Sequence, residues 1–299
     1  MNVIAGAIGA AERTPLPDSL TRAGIGWLVA QSRRRLAASP GGDRRFADEM
    51  AARRIAEHAE AANAQHYELP AAFFALALRP RRKYSCCLYD EGAQSLEEAE
   101  LSALEATVGR ADLRDGQRIL ELGCGWGSLS LFMAGRYPRA RILAVSNSAG
   151  QRGFIETEAA RRNLSNLEVV TADMNDFSTP ERFDRVVSVE MFEHMANWRA
   201  LLTRVRGWLA PEGALFIHVF THRSGSYRFD HADRCDWLAN FDARRAPIDA
   251  ILGEVYGARA RLWRRRWRLF FVAAAGLSGD AGGMEWGVSH YRLRPTPDA

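Results

Sequence analysis

The sequence predicts an α/β fold, doubly wound, with helices on both faces of a mainly parallel sheet. Three observations carry that expectation. Between residues 105 and 222, short aliphatic runs alternate with segments of helical spacing, and such alternation closes as parallel strands joined by crossover helices. Arg118-Ile-Leu-Glu-Leu-Gly-Cys-Gly-Trp-Gly-Ser128 reads as a buried strand, a glycine turn and a helix start, the ligand-binding unit of such folds. Polar residues able to hold a ligand follow the predicted strands, where that fold opens its binding crevice.

In chain order, residues 1 to about 80 are Ala-rich and helical in pattern, punctuated by Pro15, Pro17 and Pro40-Gly41-Gly42. Arg45 to Ala64 carries one continuous helical pattern, and Pro70 starts a helix through Leu78. Arg82 to Tyr89 reads as a loop. Ser95 with Glu98 three residues on is a capping box for a helix to about Arg110. Strand 118–122 then leads to helix 127–136, strand 141–145 to helix 149–163, and strand 167–170 to a polar turn. Strand 183–189 precedes helix 196–209, which begins near Trp198. Pro211-Glu-Gly213 turns the chain into strand 214–220. Beyond residue 223 the pattern breaks. Pro247 to Tyr256 and Ala260 to Ala275 read as helices, Gly276 to Gly283 as a loop, and Glu285 to Leu293 as a last, antiparallel edge strand. The expected organisation is a helical region over 1–104, a core over 105–222, and a cap with the last strand over 223–299.

Composition narrows the class. The chain has 299 residues, 47% hydrophobic and 25% charged, which suits a globular fold. The four cysteines show no zinc spacing, and adjacent Cys86 and Cys87 are poor disulfide partners. A reducing, cytoplasmic location is expected. The seven histidines form no HxH or HExxH pair, so no metal site is expected. Net charge is +4, with basic runs at Arg33-Arg34-Arg35, Arg81-Arg82-Lys83 and Arg264-Arg265-Arg266. Such runs are commonly solvated helix faces, and the alternative is peripheral contact with an anionic membrane surface. No nucleic-acid module is visible. Val3 to Ala11 is too short for a membrane span and lacks the basic start of a signal peptide.

The strand ends supply the chemistry. The glycines run G-x-G-x-G through Gly123, Gly125 and Gly127, where a pyrophosphate turn runs G-x-G-x-x-G. Gly123 and Gly125 offer a ligand bare backbone, and Glu121 just ahead is suited to an ammonium group. S-adenosylmethionine has an ammonium and no phosphate; NAD or FAD is the competing ligand. Asn147 and Gln151 offer amides where an acid usually takes the ribose hydroxyls. Asp173 is placed to accept from an adenine amino group, with Met174 packing on the ring. In Glu190-Met-Phe-Glu-His194, a helical turn would set Glu190, Glu193 and His194 on one face. That crowd of acids and imidazole can orient a cation, bind an amine or take a proton. His218 alternates with apolar strand residues and is either a core histidine or a functional one.

Glu121 to Ser128, Ser146-Asn-Ser-Ala-Gly-Gln151, Val189-Glu-Met-Phe-Glu-His-Met195 and Tyr84-Ser-Cys-Cys87 resemble the cyclopropane-fatty-acid-synthase family of S-adenosylmethionine-dependent methyltransferases. Within it the chain most resembles the coclaurine N-methyltransferase-like branch and its bacterial relatives, from about Gln65 to Leu293. The resemblance implies a seven-stranded-type methyltransferase sheet. It places Tyr84, Ser85, Gly123, Asn147, Gln151, Asp173, Met174 and Val189 around the cofactor, and Glu190, Glu193 and His194 at the acceptor. Three departures stand out. Cyclopropane synthases hold bicarbonate with a cysteine, a glutamate, a histidine and a tyrosine; Cys86, Glu193 and His218 match, but Leu238 stands where the tyrosine belongs. A late cysteine of those synthases aligns with Ala274. Asp236-Trp-Leu-Ala-Asn240 fuses two sites that relatives separate by several dozen residues, a segment that helps cover the acceptor pocket, so the helical cap is expected to be reduced.

The expected function is methyl transfer from S-adenosylmethionine to a small amine. The alternatives are methylene transfer to lipid acyl chains and a cofactor-binding protein with an impaired acceptor site. The partner is thus a small-molecule or lipid acceptor and not nucleic acid; the oligomeric state stays open.

Overall fold

The computed structural model describes residues 14, 16–37, 42–57, 74, 78, 80–89, 92–227 and 256–296. The elements, in order, are α1 (Asp18–Ala37), α2 (Gly42–Ala51), α3 (Leu96–Arg110), β1 (Arg118–Leu122), α4 (Ser128–Arg136), β2 (Arg141–Ser146), α5 (Ala149–Arg161), β3 (Leu167–Thr171), β4 (Phe183–Val189), α6 (Trp198–Trp208), β5 (Leu209–His222), α7 (Ala260–Gly279) and β6 (Trp286–Leu293). The sheet order is β3-β2-β1-β4-β5-β6. Pairing is parallel from β3 through β5. The mainly parallel sheet is therefore as expected, with six strands among the described residues where the seven-stranded type was expected. Contacts of Arg223 with Glu285 and of Thr221 with Gly287 descend along β5 as they ascend along β6, so this edge pair is antiparallel.

Contacts divide the chain into two units, residues 48–220 with 288–299, and residues 1–47 with 221–287. In the first, side chains leave each strand alternately to opposite faces. Leu120, Leu122, Val186, Ile217 and Val219 pack with Phe192, Leu201 and Trp208. Ile119, Ile142, Val187 and Phe216 pack on the other face with Leu104, Val108, Leu129 and Met133. Central strands buried on both faces read as unbroken apolar runs, which is how they appear in the sequence.

The capping box forms as the sequence predicts: Ser95 Oγ accepts from the Glu98 N–H at 3.2 Å, and Glu98 Oε2 accepts from the Ser95 N–H at 2.8 Å. The helix expected from Arg45 to Ala64 instead stops at Ala51. There Asn197 Nδ2 donates to the carbonyls of Ala51 and Arg53, 2.9 Å each, and Ile55 turns into the core. Burial of one isoleucine and satisfied end carbonyls outweigh continued helix. Residues 58–64 lie outside the described residues. So does most of the segment expected to be helical from Pro70, though the Leu78 N–H donates to Phe74 O at 3.0 Å. Pro211-Glu-Gly213 does not end a turn before β5 but lies within it, beside a register shift between Phe183 and Arg185 of β4.

In the second unit, α1 and α7 pack together, and Arg33 pairs with Asp280 at 3.1 Å. The expected loop from Gly276 begins instead after Gly279. Gly276 stays helical because α1 passes against it: a Cβ there would sit 2.7 Å from Ile25 Cγ2. Ala274 is exposed on α7. Cys235, Asp236 to Asn240 and residues 247–255 lie outside the described residues. Among the described residues no helix is long and apolar enough to cross a membrane.

Candidate active site

The carboxyl ends of β1, β2, β3 and β4 lie side by side: Leu122 pairs with Val145 and with Ser188, and Ser146 with Thr171. Everything that follows these strands is gathered on one edge. The turn after β1 has Gly123, Gly125 and Gly127 at φ +78°, +52° and +76°, a left-handed path that only glycine takes without strain. The three are not equivalent. A Cβ on Gly123 would meet Met191 Cβ at 2.7 Å, and one on Gly127 would meet Ile155 Cγ1 at 2.5 Å. A Cβ on Gly125 would enter open space. The space beside Gly125 is open, whereas Gly123 lies against Met191 of the loop after β4.

Glu121 is 3% exposed at the end of β1, and Ser130 Oγ donates to its Oε2 at 2.5 Å. Burial pushes its pKa up to about 8, against the Ser130 hydrogen bond. A neutral buried carboxyl at this point becomes a carboxylate when a cation arrives to pair with it. Trp126 Nε1 and Gln151 Nε2 are buried donors without a partner among the described residues. Gln151 is held by Ser146 Oγ, which donates to its Oε1 at 2.6 Å. The amide is thereby oriented with its NH2 group unspent. Asn147 lies half-buried beyond β2. Asp173, half-buried beyond β3, receives the Asn175 N–H and Nδ2 on Oδ1 at 2.7 and 2.8 Å, which fixes the carboxylate. Met174 is buried in the core cluster with Phe177. Phe74 lies 4.6 Å from the Trp126 ring and 5.6 Å from that of Tyr84, so aromatic surface flanks the glycine turn.

Beyond β4 the structure departs from the expected helical turn. Glu190 is left-handed at φ +50°, and a 3-10 turn spans only Phe192–His194. Glu190, Glu193 and His194 therefore do not share a helix face. The left-handed turn sends Glu190 toward Cys86 and His218 instead. The Cys86 N–H donates to Glu190 Oε1 at 3.0 Å, and His218 Nε2 lies 3.3 Å from the same oxygen. It is thus Glu190, and not Glu193, that joins Cys86 and His218. Glu193 receives the Phe220 N–H at 3.4 Å on Oε1, and its Oε2 is buried without a partner among the described residues.

The two carboxyls are driven apart. Burial raises the Glu190 pKa, but hydrogen bonds from His218 and Cys86 outweigh it and hold the group below the usual range. Burial, aided by the Glu190 charge, pushes Glu193 up to about 8. His194 is exposed, and desolvation by its surroundings, against the raising charge of Glu190, lowers its pKa and favours neutral imidazole. Val189 is half-buried and paired with His218.

The loop before α3 closes this side. Tyr84 is 37% exposed, and Ser85 Oγ accepts from Lys83 Nζ. Lys83 is itself buried, and burial lowers its pKa against the raising charges of Glu190, Cys87, Cys86 and Glu100. Crowding and the neighbouring Glu190 push the Cys86 thiol up to about 12, so although exposed it is no thiolate. Sequence patterns did not point to Lys83, Trp126, Ser130 or His290. Each takes part through contacts across elements, and His290 Nε2 lies 2.8 Å from His218 Nδ1. Alternation along the last strand was the one available hint for His290.

Residues 55–241, more than half of the chain, match the mycolic acid cyclopropane synthetase family. The (S)-coclaurine N-methyltransferase of Thalictrum flavum subsp. glaucum is 39% identical over 188 residues, 63% of this chain and 52% of that protein. The cyclopropane-fatty-acyl-phospholipid synthase of Escherichia coli (strain K12) is 32% identical over 168 residues, 56% of this chain and 42% of that one. The chain spans about half the length of the curated relatives it matches. A crystal structure of coclaurine N-methyltransferase bound to N-methylheliamine and SAH superposes with a TM-score of 0.90 at 27% identity, covering 97% of this chain and 99% of the other. The chain belongs to the mycolic acid cyclopropane synthetase family.

Proposed function

We propose that this protein is a methyltransferase that carries the methyl group of S-adenosylmethionine to a small amine. The observation that carries the proposal is the pair of carboxyls beyond β4, one held ionised and the other raised to about 8. Carboxyls pushed in opposite directions divide the work of an acid–base site. Glu190, held below the usual carboxylate range, holds the cationic acceptor. Glu193, with neutral His194 beside it, takes the proton that an amine must lose.

The cofactor fits the described residues. Glu121 suits its ammonium, Gly125 leaves open space, and Gln151 and Trp126 present unspent buried donors. Gly123, Asn147, Asp173, Met174, Tyr84, Ser85 and Val189 complete the proposed binding edge. When bound, S-adenosylmethionine supplies an electrophilic methyl group on a sulfonium. The protein's share is alignment of the acceptor, exclusion of water and removal of a proton. The relatives named as N-methyltransferases support an amine acceptor. A lipid acyl chain is the second candidate, supported by the meeting of Cys86, Glu190 and His218. Free thiols at Cys86, Cys87 and Cys124 support the cytoplasm as location.

A paired substitution tests the assignment. His194→Ala should lower single-turnover transfer to an amine by about 10²–10⁴, the usual worth of a general base or its partner, with little change in cofactor affinity. Asp173→Ala should weaken cofactor binding. Equal loss of cofactor affinity in both variants would remove His194 from the acceptor site. Turnover on phospholipid vesicles and none on an amine panel would make the lipid the acceptor.

A further inference from the structure

Four side chains from four separate segments form a line that starts at Glu190 and ends at an exposed arginine. Glu190 Oε1 lies 3.3 Å from His218 Nε2 on β5. His218 Nδ1 lies 2.8 Å from His290 Nε2 on β6. His290 Nδ1 lies 2.7 Å from Arg110 Nη1 at the end of α3.

A guanidinium has N–H donors and no acceptor, whereas a neutral imidazole has one of each. Arg110 therefore obliges His290 Nδ1 to accept. The His290 proton is then on Nε2, and it is donated to His218 Nδ1. That in turn places the His218 proton on Nε2, facing Glu190. The opposite arrangement fails at its outer end. A proton on His218 Nδ1 would require His290 to accept at Nε2 and carry its own proton at Nδ1, where it would oppose an Arg110 N–H. We propose that Arg110 and His290 are positioning residues that lock His218 in the Nε2–H tautomer and so hold Glu190 as an oriented carboxylate.

Two observations agree. Burial, with the positive charges of Arg110 and Lys83 adding to it, pushes the His290 pKa down to about 4, so the ring stays neutral as the lock requires. The Phe216 ring, 5.1 Å from His290, and the His218 ring at 4.7 Å brace it from β5. Among the described residues no group of His, Cys, Asp and Glu is arranged to hold a metal ion, so a line and not a ligand cage is what these groups form. His218 and the Cys86 N–H both meet Glu190 at Oε1, and in the proposed function the carboxylate so oriented faces the acceptor. Only this last step rests on the proposed function; the tautomer assignment stands on the geometry.

The test is the ring-nitrogen NMR shifts of 15N-histidine-labelled protein near neutral pH, in wild type, Arg110→Met, Arg110→Lys and His290→Phe. Wild type should show the Nε2–H tautomer at both His218 and His290. Arg110→Met should give mixed tautomers at both, and His290→Phe should give them at His218. Arg110→Lys, which still presents donors only, should restore the wild-type pattern. With an amine acceptor, Arg110→Met should lower kcat/KM roughly tenfold, the worth of a hydrogen bond to a charged group, with unchanged cofactor affinity. A proton on Nδ1 of His218 in wild type, or an unchanged His218 tautomer in both Arg110→Met and His290→Phe, would overturn the lock. If the tautomers respond but no amine is methylated, the proposed function fails and the lock stands. If amines are methylated and the tautomers do not respond, the lock alone fails.

Discussion

Glu190 and Glu193 are separated by two residues, yet their surroundings divide them: hydrogen bonds from His218 and Cys86 hold one ionised, and burial beside that charge holds the other protonated. The physical cause is the left-handed backbone at Glu190, which turns its side chain away from the 3-10 turn that carries Glu193. For a non-glycine residue such a conformation costs about 1–2 kcal/mol, and structures keep it where it serves a site. A base with a pKa of about 8 works only once it is ionised. Activity on an amine that does not itself ionise in this window should therefore rise with pH through about 8. Glu193→Gln should remove that rise and lower kcat/KM by about 10²–10⁴ at the alkaline end. A pH–rate profile of both proteins is the check, and an unchanged rise in the variant would assign the base elsewhere.

At the scale of elements, the glycine turn between β1 and α4 separates structural from ligand constraints. A methyl at position 127 collides with Ile155 of α5, and both positions 125 and 127 carry positive φ. Gly127→Ala should destabilise by about 2–5 kcal/mol, the sum of left-handed strain and overpacking. Gly125→Ala should cost about 1–2 kcal/mol from strain alone but weaken S-adenosylmethionine binding, because its methyl enters the open space. Urea denaturation and calorimetry on each variant separate the two effects; equal losses of stability would contradict the distinction. Substitution of Gly123 is a poorer probe of binding, since Met191 stands against it and the fold responds as well. The same scale shows what local pattern conveys. The Ser95 capping box was legible because all its atoms lie within four residues. The end of α2 was not, because its carbonyls are capped by Asn197, far along the chain.

For the whole molecule, Glu121 and Glu193 make stability depend on pH in a set direction. Both have folded pKa values near 8, above the ordinary carboxylate value of about 4.3. Below the ordinary value, both states are protonated and the contribution is complete. As pH rises through the window up to about 8, the unfolded chain releases protons that the folded chain retains, and stability is lost. For Glu121, which is fully buried, the loss is on the order of a few kcal/mol. Urea midpoints without ligand should fall between about pH 5 and pH 8, and Glu121→Gln should flatten the fall. S-adenosylmethionine should oppose it, since its ammonium favours the ionised carboxylate and binding releases a proton. A midpoint that rises over this range, with or without Glu121, would show that the carboxyl is not held neutral.

The amino-acid sequence by itself determined the parallel α/β core, the family, the glycine turn and the polar residues that follow the strands. Those features are local in origin: period-2 and helical spacing, a glycine run and residues directly following strands report themselves within a dozen positions. It also brought forward Glu121, Gln151, Glu190, Glu193 and His218 as chemically active types. Only the tertiary structure decided their company. That Glu190 rather than Glu193 meets Cys86 and His218 depends on one left-handed residue and on a loop more than a hundred positions earlier. That His218 is served by His290, and His290 by Arg110, depends on an edge strand near the end of the chain lying beside β5. Hydrogen bonds between distant segments leave no periodic trace in the sequence, because each partner is ordinary where it stands and acquires its role from the other.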